Sequence, residues 1–261
     1  MGIRIEAVRD LFYPGDAGEL TQMVDGFLAA APNLSIRPKI LISPHAGYLY
    51  SGACAAMGYK QLIGSGLRRV VLIGPSHRVG FEGAAFSGAD FWRTPLGEVP
   101  LDRLAIASFL DQASTDFMIH PQPHENEHAL EVQLPFLQRV LKGGFEIVPI
   151  TYSHISPSKL TKLISYFAAD VQTGVVISSD LSHFYPIEQA GLLDRACHRG
   201  VLALDTKALD PCEACGRIGI EAAIGYARQK GLKSQLLDYR TSADVTGDRS
   251  RVVGYASYGF Y

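Results

Sequence analysis

The sequence has little cysteine, no basic excess and no long apolar run. Four Cys in 261 residues, at 54, 197, 212 and 215, are too few for a disulfide scaffold. A reducing, cytoplasmic setting is therefore expected. Net charge is −2, with 24 Lys and Arg against 26 Asp and Glu, so no face broad enough for nucleic acid is expected. No stretch approaches the roughly 18 apolar residues of a membrane span. The first ten residues, MGIRIEAVRD, carry Arg4, Glu6 and Arg9 around no apolar stretch, so neither a secretory signal nor membrane association is expected. Gly2 is followed by Glu at position 6, which breaks the myristoylation pattern. The phosphate-cradling glycine loops G-x-G-x-x-G and G-x-x-x-x-G-K-[ST] are absent, as is a G-x-S-x-G nucleophile elbow.

What remains is a globular composition, 47% hydrophobic and 19% charged, with no repeat or linker to divide it. We expect one domain over 1–261. Apolar β-branched runs at Pro38–Pro44, Arg69–Ile73, Phe145–Thr151 and Gly174–Ser178 read as buried strands. Ser234–Tyr239 and Arg251–Tyr258 read as late strands. Helical patterns fall at Ser51–Ile63, Pro100–Leu110, Glu127–Leu141, Pro157–Ala168, Pro186–Leu204 and Ile218–Gln229. This alternation predicts an α/β fold with a mostly parallel or mixed central sheet and helices on both faces.

In such sheets ligands bind beyond the carboxyl ends of the strands. Three runs deliver a His there: Ser43-Pro44-His45, Gly74-Pro75-Ser76-His77 and Ser178-Ser179-Asp180-Leu181-Ser182-His183. With only 8 His in the chain, that placement points to a shared site, and imidazole is the commonest metal ligand. Two His plus one anionic group would leave positions open for substrate. Asp180, Glu127, Glu131 or a Cys thiolate could be that group. A metal-free alternative pairs His45 and Asp180 as acid and base, with Ser76 or Ser179 as nucleophile. His124, Glu125 and His128 have H-E-x-x-H spacing, but Pro121 and Pro123 place His124 at or before a helix start. A helix from Glu127 would present Glu127, His128 and Glu131 on nearly one face. Cys212 and Cys215 form a Cys-x-x-Cys pair, read as metal- or redox-active or as two small buried residues.

The residues resemble a known family. Phe12-Tyr13-Pro14, Pro44-His45-Ala46-Gly47-Tyr48, Gly74-Pro75-Ser76-His77, Arg93-Thr94-Pro95-Leu96-Gly97, Glu127-His128-Ala129-Leu130-Glu131, Ser178-Ser179-Asp180-Leu181-Ser182-His183 and Cys215-Gly216-Arg217 are similar to the Memo family. That family takes its name from a mediator of ErbB2-driven cell motility, and its prokaryotic members are called AmmeMemoRadiSam system protein B. The resemblance implies a fold like the LigB-type class III extradiol dioxygenases. It also implies a metal pocket of two His and one Cys, falling on His45, His77 and Cys215, with Fe(II) first and copper second. Cys212 matches no family position, so the Cys-x-x-Cys spacing reads as incidental.

On that basis Asp180, His183 and His128 are expected to orient ligands and handle protons, and Glu127 to line the cavity with Tyr13 and Tyr48. The expected activity is redox chemistry on a small molecule. The competing expectation is a non-catalytic module holding a peptide or small ligand against an aromatic rim of Tyr13, Tyr48 and Tyr50. The oligomeric state is left open.

Overall fold

A computed structural model describes residues 2–261. Its strands are β1 (Ile3–Arg4), β2 (Ile40–Ser43), β3 (Arg69–Pro75), β4 (Ala84–Phe86), β5 (Phe91–Thr94), β6 (Gly97–Pro100), β7 (Phe117–Ile119), β8 (Glu146–Tyr152), β9 (Thr173–Ser178), β10 (His183–Tyr185), β11 (Ser234–Thr241) and β12 (Val252–Phe260). Its helices are α1 (Ala17–Ala30), α2 (Tyr48–Tyr59), α3 (Arg103–Leu110), α4 (Gln122–Glu125), α5 (Leu134–Val140), α6 (Pro157–Phe167), α7 (Ile187–Ala203), α8 (Arg217–Lys230) and α9 (Ala243–Thr246).

The central sheet is mixed, as the sequence allowed. Strands β2, β9, β3 and β8 lie side by side and parallel. Antiparallel neighbours extend it, β12 beside β2 and β4 beside β8, with β10 and β11 on β12 and β7 on β4. A small sheet of order β1-β5-β6 stands apart. The parallel strands are buried on both faces, which is why they read as unbroken apolar runs.

The helices divide between the two faces. Leu41 of β2 packs beneath Gly58 of α2, where a Cβ would meet its Cδ1 at 2.4 Å. The adjacent register position, Ile42 beside Ile177, faces the other way, and Ile177 lies beneath Gly219 of α8. Tyr258 of β12 pairs with Ile42 and meets His198 of α7. So α2 covers one face and α7 with α8 the other.

Two expected helices start later than their patterns suggested. Pro100 closes β6, and α3 begins only after Asp102, whose side chain caps it by accepting the Ala105 N–H. The expected helix over Glu127–Leu141 is not continuous. Residues 126–130 are irregular, 131–133 make one 3₁₀ turn, and α5 starts at Leu134. Pro135 accounts for this, since proline is tolerated in the first turn but removes a donor and clashes inside a helix.

Candidate metal centre

Beyond the carboxyl ends of the parallel strands the backbone turns and exposes polar side chains. His45 lies two residues past β2, His77 two past β3 and Asp180 two past β9. His128 comes from the irregular segment, and Cys215 from the loop entering α8. The sheet thus brings residues far apart in sequence to one place. One ligand atom each from His45, His77 and His128 lies within 4.8 Å of the others. His77 and His128 stack at 4.7 Å, and His45 stands edge-on to both, at 5.1 and 5.2 Å. The Cys215 Sγ is 3.2 Å from His45 Nε2.

Hydrogen bonds fix which nitrogens are free. Ser178 Oγ donates its one hydrogen to the Ala129 carbonyl at 2.6 Å. It must therefore accept from His45 Nδ1 at 2.8 Å and from Gln133 Nε2 at 2.9 Å. His45 carries its proton on Nδ1, and its Nε2 lone pair faces Cys215. His77 Nδ1 donates to Glu127 Oε1 at 2.9 Å, which in the neutral ring leaves the lone pair on Nε2. A carboxylate behind a His orients the ring and raises its basicity, an arrangement recurrent at metal sites.

The electrostatics suit ligation. Burial holds the His45 imidazolium down to about 3, and a charge on His77 adds to this. Burial and the His45 charge hold His128 down to about 4. Both rings are neutral at neutral pH, as metal ligands must be. Burial alone would raise Glu127, but donors from the His77 ring and the Ala129 and His77 backbone outweigh it and hold it at about 2. Burial, with Asp180 alongside, pushes the Cys215 thiol up to about 12, so without a cation it stays protonated and donates to His45 Nε2.

Asp180 is buried, accepts the His45 backbone N–H at 2.8 Å, and places Oδ2 4.0 Å from His45 Nε2. Burial raises its carboxyl. His183 sits half-buried at the start of β10 with its ring 6.0 Å from that of Phe184.

Other expected site residues lie elsewhere. Glu131 does not join Glu127 and His128. It is fully buried, ion-paired with Arg4, and accepts from the N–H groups of Ala7 and Val8 and the Tyr13 hydroxyl. The broken helix turns it inward. Tyr13 and Tyr48 are each 3% exposed, so they form no open rim; Tyr48 donates to the Val132 carbonyl at 2.6 Å. Tyr50 is exposed, and the aromatic that reaches the cluster is Phe12, 4.9 Å from His128.

His124 lies on α4, bonded to the Ala85 carbonyl, so the H-E-x-x-H spacing forms no site. Ser179 Oγ is taken up by Asp180 O and Gly216 N, and Ser76 Oγ by Val79 N, which leaves the serine-nucleophile reading without geometry. Cys212 is not an idle neighbour of Cys215, because it forms a disulfide with Cys197. Cysteine spacing does not reveal connectivity, so that bond was not readable from the sequence.

A family model described as Memo-like protein matches residues 4–259. The chain belongs to the Memo family. MEMO1 family proteins of Aquifex aeolicus, Nitrosopumilus maritimus and Archaeoglobus fulgidus are 36%, 33% and 34% identical to it. Each match covers at least 98% of both chains. In this Memo-family chain the three-imidazole cluster could hold a metal ion. Beside it, Val8, Phe12, Arg78, Val79 and Asn126 line a groove of about 480 Å³.

Proposed function

We propose that this Memo-family protein carries one metal ion and performs metal-dependent redox chemistry on a small molecule. His45, His77 and Cys215 would hold the ion, Fe(II) first and copper second, with His128 beside them. The observation that carries this reading is the pair of bare Nε2 atoms, one facing a thiol sulfur at 3.2 Å. Nitrogen and thiolate sulfur together suit iron, copper or zinc better than magnesium or calcium. A bound Fe(II) or copper would supply one-electron chemistry. We place this chemistry in the cytoplasm, where a thiol ligand stays reduced.

The chain's own residues do the rest. Glu127 keeps the His77 proton on Nδ1, and Ser178 keeps that of His45. A neighbouring cation favours the Cys215 thiolate, and the Asp180 N–H, 3.3 Å from Sγ, donates to it. Asp180 would take up the proton of the thiol, and His183 would pass it outward. Phe12 and the groove beside it would seat the substrate.

The test is reconstitution with Fe(II) or Cu(I) under anaerobic conditions. The parent protein should hold about one ion and His77→Ala far less, with the fold retained in both. Unchanged stoichiometry in His77→Ala would remove the ligand assignment. The groove also favours a second reading, a module that binds a small or peptide ligand without turnover. Oxygen consumption by the iron-loaded protein with a catechol-like compound supports the enzyme. Full metal content with no consumption supports the module.

A further inference from the structure

The two cysteines of the Cys-x-x-Cys pair have different fates. Cys212 is joined to Cys197 across 15 residues, and both are buried. Cys215, three residues on, is a free thiol facing His45. Cys54, the other free thiol, is buried against Ser257 and the Asp238 carbonyl.

The segment carrying Cys215 is tied besides by hydrogen bonds, and Cys215 Sγ accepts from the Asp180 N–H at 3.3 Å. Gly216 N–H donates to Ser179 Oγ at 2.9 Å. Arg217 holds the Asp210 and Cys212 carbonyl oxygens at 3.0 and 3.4 Å. The other end of the disulfide, on α7, is well fixed. Asp194 accepts from Ser182 N–H at 3.0 Å and from Tyr239 OH at 2.8 Å, and His198 pairs with Tyr258 OH at 2.6 Å. Asp194 and Cys197 are three residues apart and so share a helix face. That face anchors the Asp180–His183 turn through a hydrogen bond and the Cys215 loop through a covalent bond. Only the second can be switched by thiol chemistry.

We propose that the Cys197–Cys212 disulfide is a reversible modification site that sets where the Cys215 sulfur lies, so that its reduction loosens Cys215 from His45. A small-molecule or protein dithiol is the reductant. Its thiolate attacks one half-cystine, the bond between the two sulfurs breaks, and the leaving sulfur takes a proton. The second thiol resolves the mixed disulfide. Two electrons and two protons end on Cys197 and Cys212, and the dithiol becomes a disulfide. Both sulfurs are buried, so local opening of the 205–216 segment sets the rate. Disulfides in reducing compartments are usually transient or redox-sensing, which fits this use. The consequence for a bound ion rests on the metal reading above, whereas the placement of Cys215 does not.

The experiment uses full-length protein purified without reductant. Denatured and unreduced, it should show two thiols, Cys54 and Cys215; four would overturn the proposal. Metal-free protein is then alkylated with iodoacetamide before and after treatment with dithiothreitol, removed under anaerobic conditions. The Cys215 peptide is followed by mass spectrometry, with Cys197→Ala/Cys212→Ala in parallel. Alkylation of Cys215 should rise severalfold in the reduced protein and in the variant. Equal rates in folded protein would overturn the proposal, and the reduced parent decides if the variant fails to fold.

A third arm titrates Co(II) and reads the thiolate-to-cobalt absorption per ion bound. It should fall by half or more on reduction, and an unchanged band counts against the proposal. Failure of Co(II) to bind in either state refutes the metal reading instead and leaves the alkylation arm decisive.

Discussion

The segment that carries Glu127 and His128 is irregular, so something other than a helix must hold it. Arg4 of β1 does so. Its Nε donates to the His124 carbonyl at 3.0 Å and its Nη2 to the Glu127 carbonyl at 2.6 Å. Its Nη1 pairs with Glu131, and the guanidinium lies 4.5 Å over the Trp92 ring. The Glu131 carboxylate is also met by Tyr13 OH and two backbone N–H groups.

Replacing Arg4 by Met leaves a fully buried carboxylate without its cation. Breaking a buried pair on one side costs about 3–5 kcal/mol. Three remaining donors to Glu131 favour the lower end, about 3 kcal/mol. At roughly 2–4 °C per kcal/mol for a chain of this size, Tm should fall by about 6–12 °C. The double variant Arg4→Met/Glu131→Gln removes the orphan charge and should recover at least half of that loss. Both are read by thermal unfolding of metal-free protein. An Arg4→Met Tm within about 2 °C of the parent, or a double variant no more stable than the single, would refute the clamp.

Two further outcomes follow from the site. Glu127→Gln replaces a carboxylate held at about 2, below its ordinary 4.5. A lowered carboxylate stabilises the fold fully above its unfolded value and loses that contribution as pH falls through the folded one. The stability gap between parent and Glu127→Gln, measured by urea unfolding, should be full above about pH 5 and close towards pH 2; a gap independent of pH contradicts the assignment. Gly216→Ala would put a Cβ 2.6 Å from Ser179 Cβ and 2.7 Å from Ser178 O. Backbone must then move, at about 1–3 kcal/mol, and metal content should fall with it because Cys215 immediately precedes Gly216; unchanged metal content would show that the loop has slack.

The parts of this structure legible in the sequence are those set by burial on both faces. Strands β2, β3, β8 and β9 are unbroken apolar runs, and the polar residues past three of them mark the carboxyl edge where His45, His77 and Asp180 meet. The illegible parts depend on tertiary partners. Glu131 read as a site acid on one helix face with Glu127 and His128, yet Arg4, 127 residues away, takes it into the core. Pro135 was the one local signal that the 127–141 helix would break, because it fits only a first turn. Strands β4 and β7 are three residues each, too short to show a period. Cys212 gave no sign of its partner, since pairing depends on where α7 packs.

The site's donors therefore differ in how they are held. His45 and His77 follow directly from sheet strands, with their tautomers set by Ser178 and Glu127. His128 depends on the Arg4 clamp, and Cys215 on Gly216, Arg217 and the disulfide to α7. Local opening starts where secondary structure is least regular. Amide hydrogen exchange should accordingly protect the strand residues leading to His45 and His77 most, and the 126–130 and 212–216 segments least. Uniform protection across all four would mean that the sheet holds the whole site, leaving the clamp and the disulfide nothing to position.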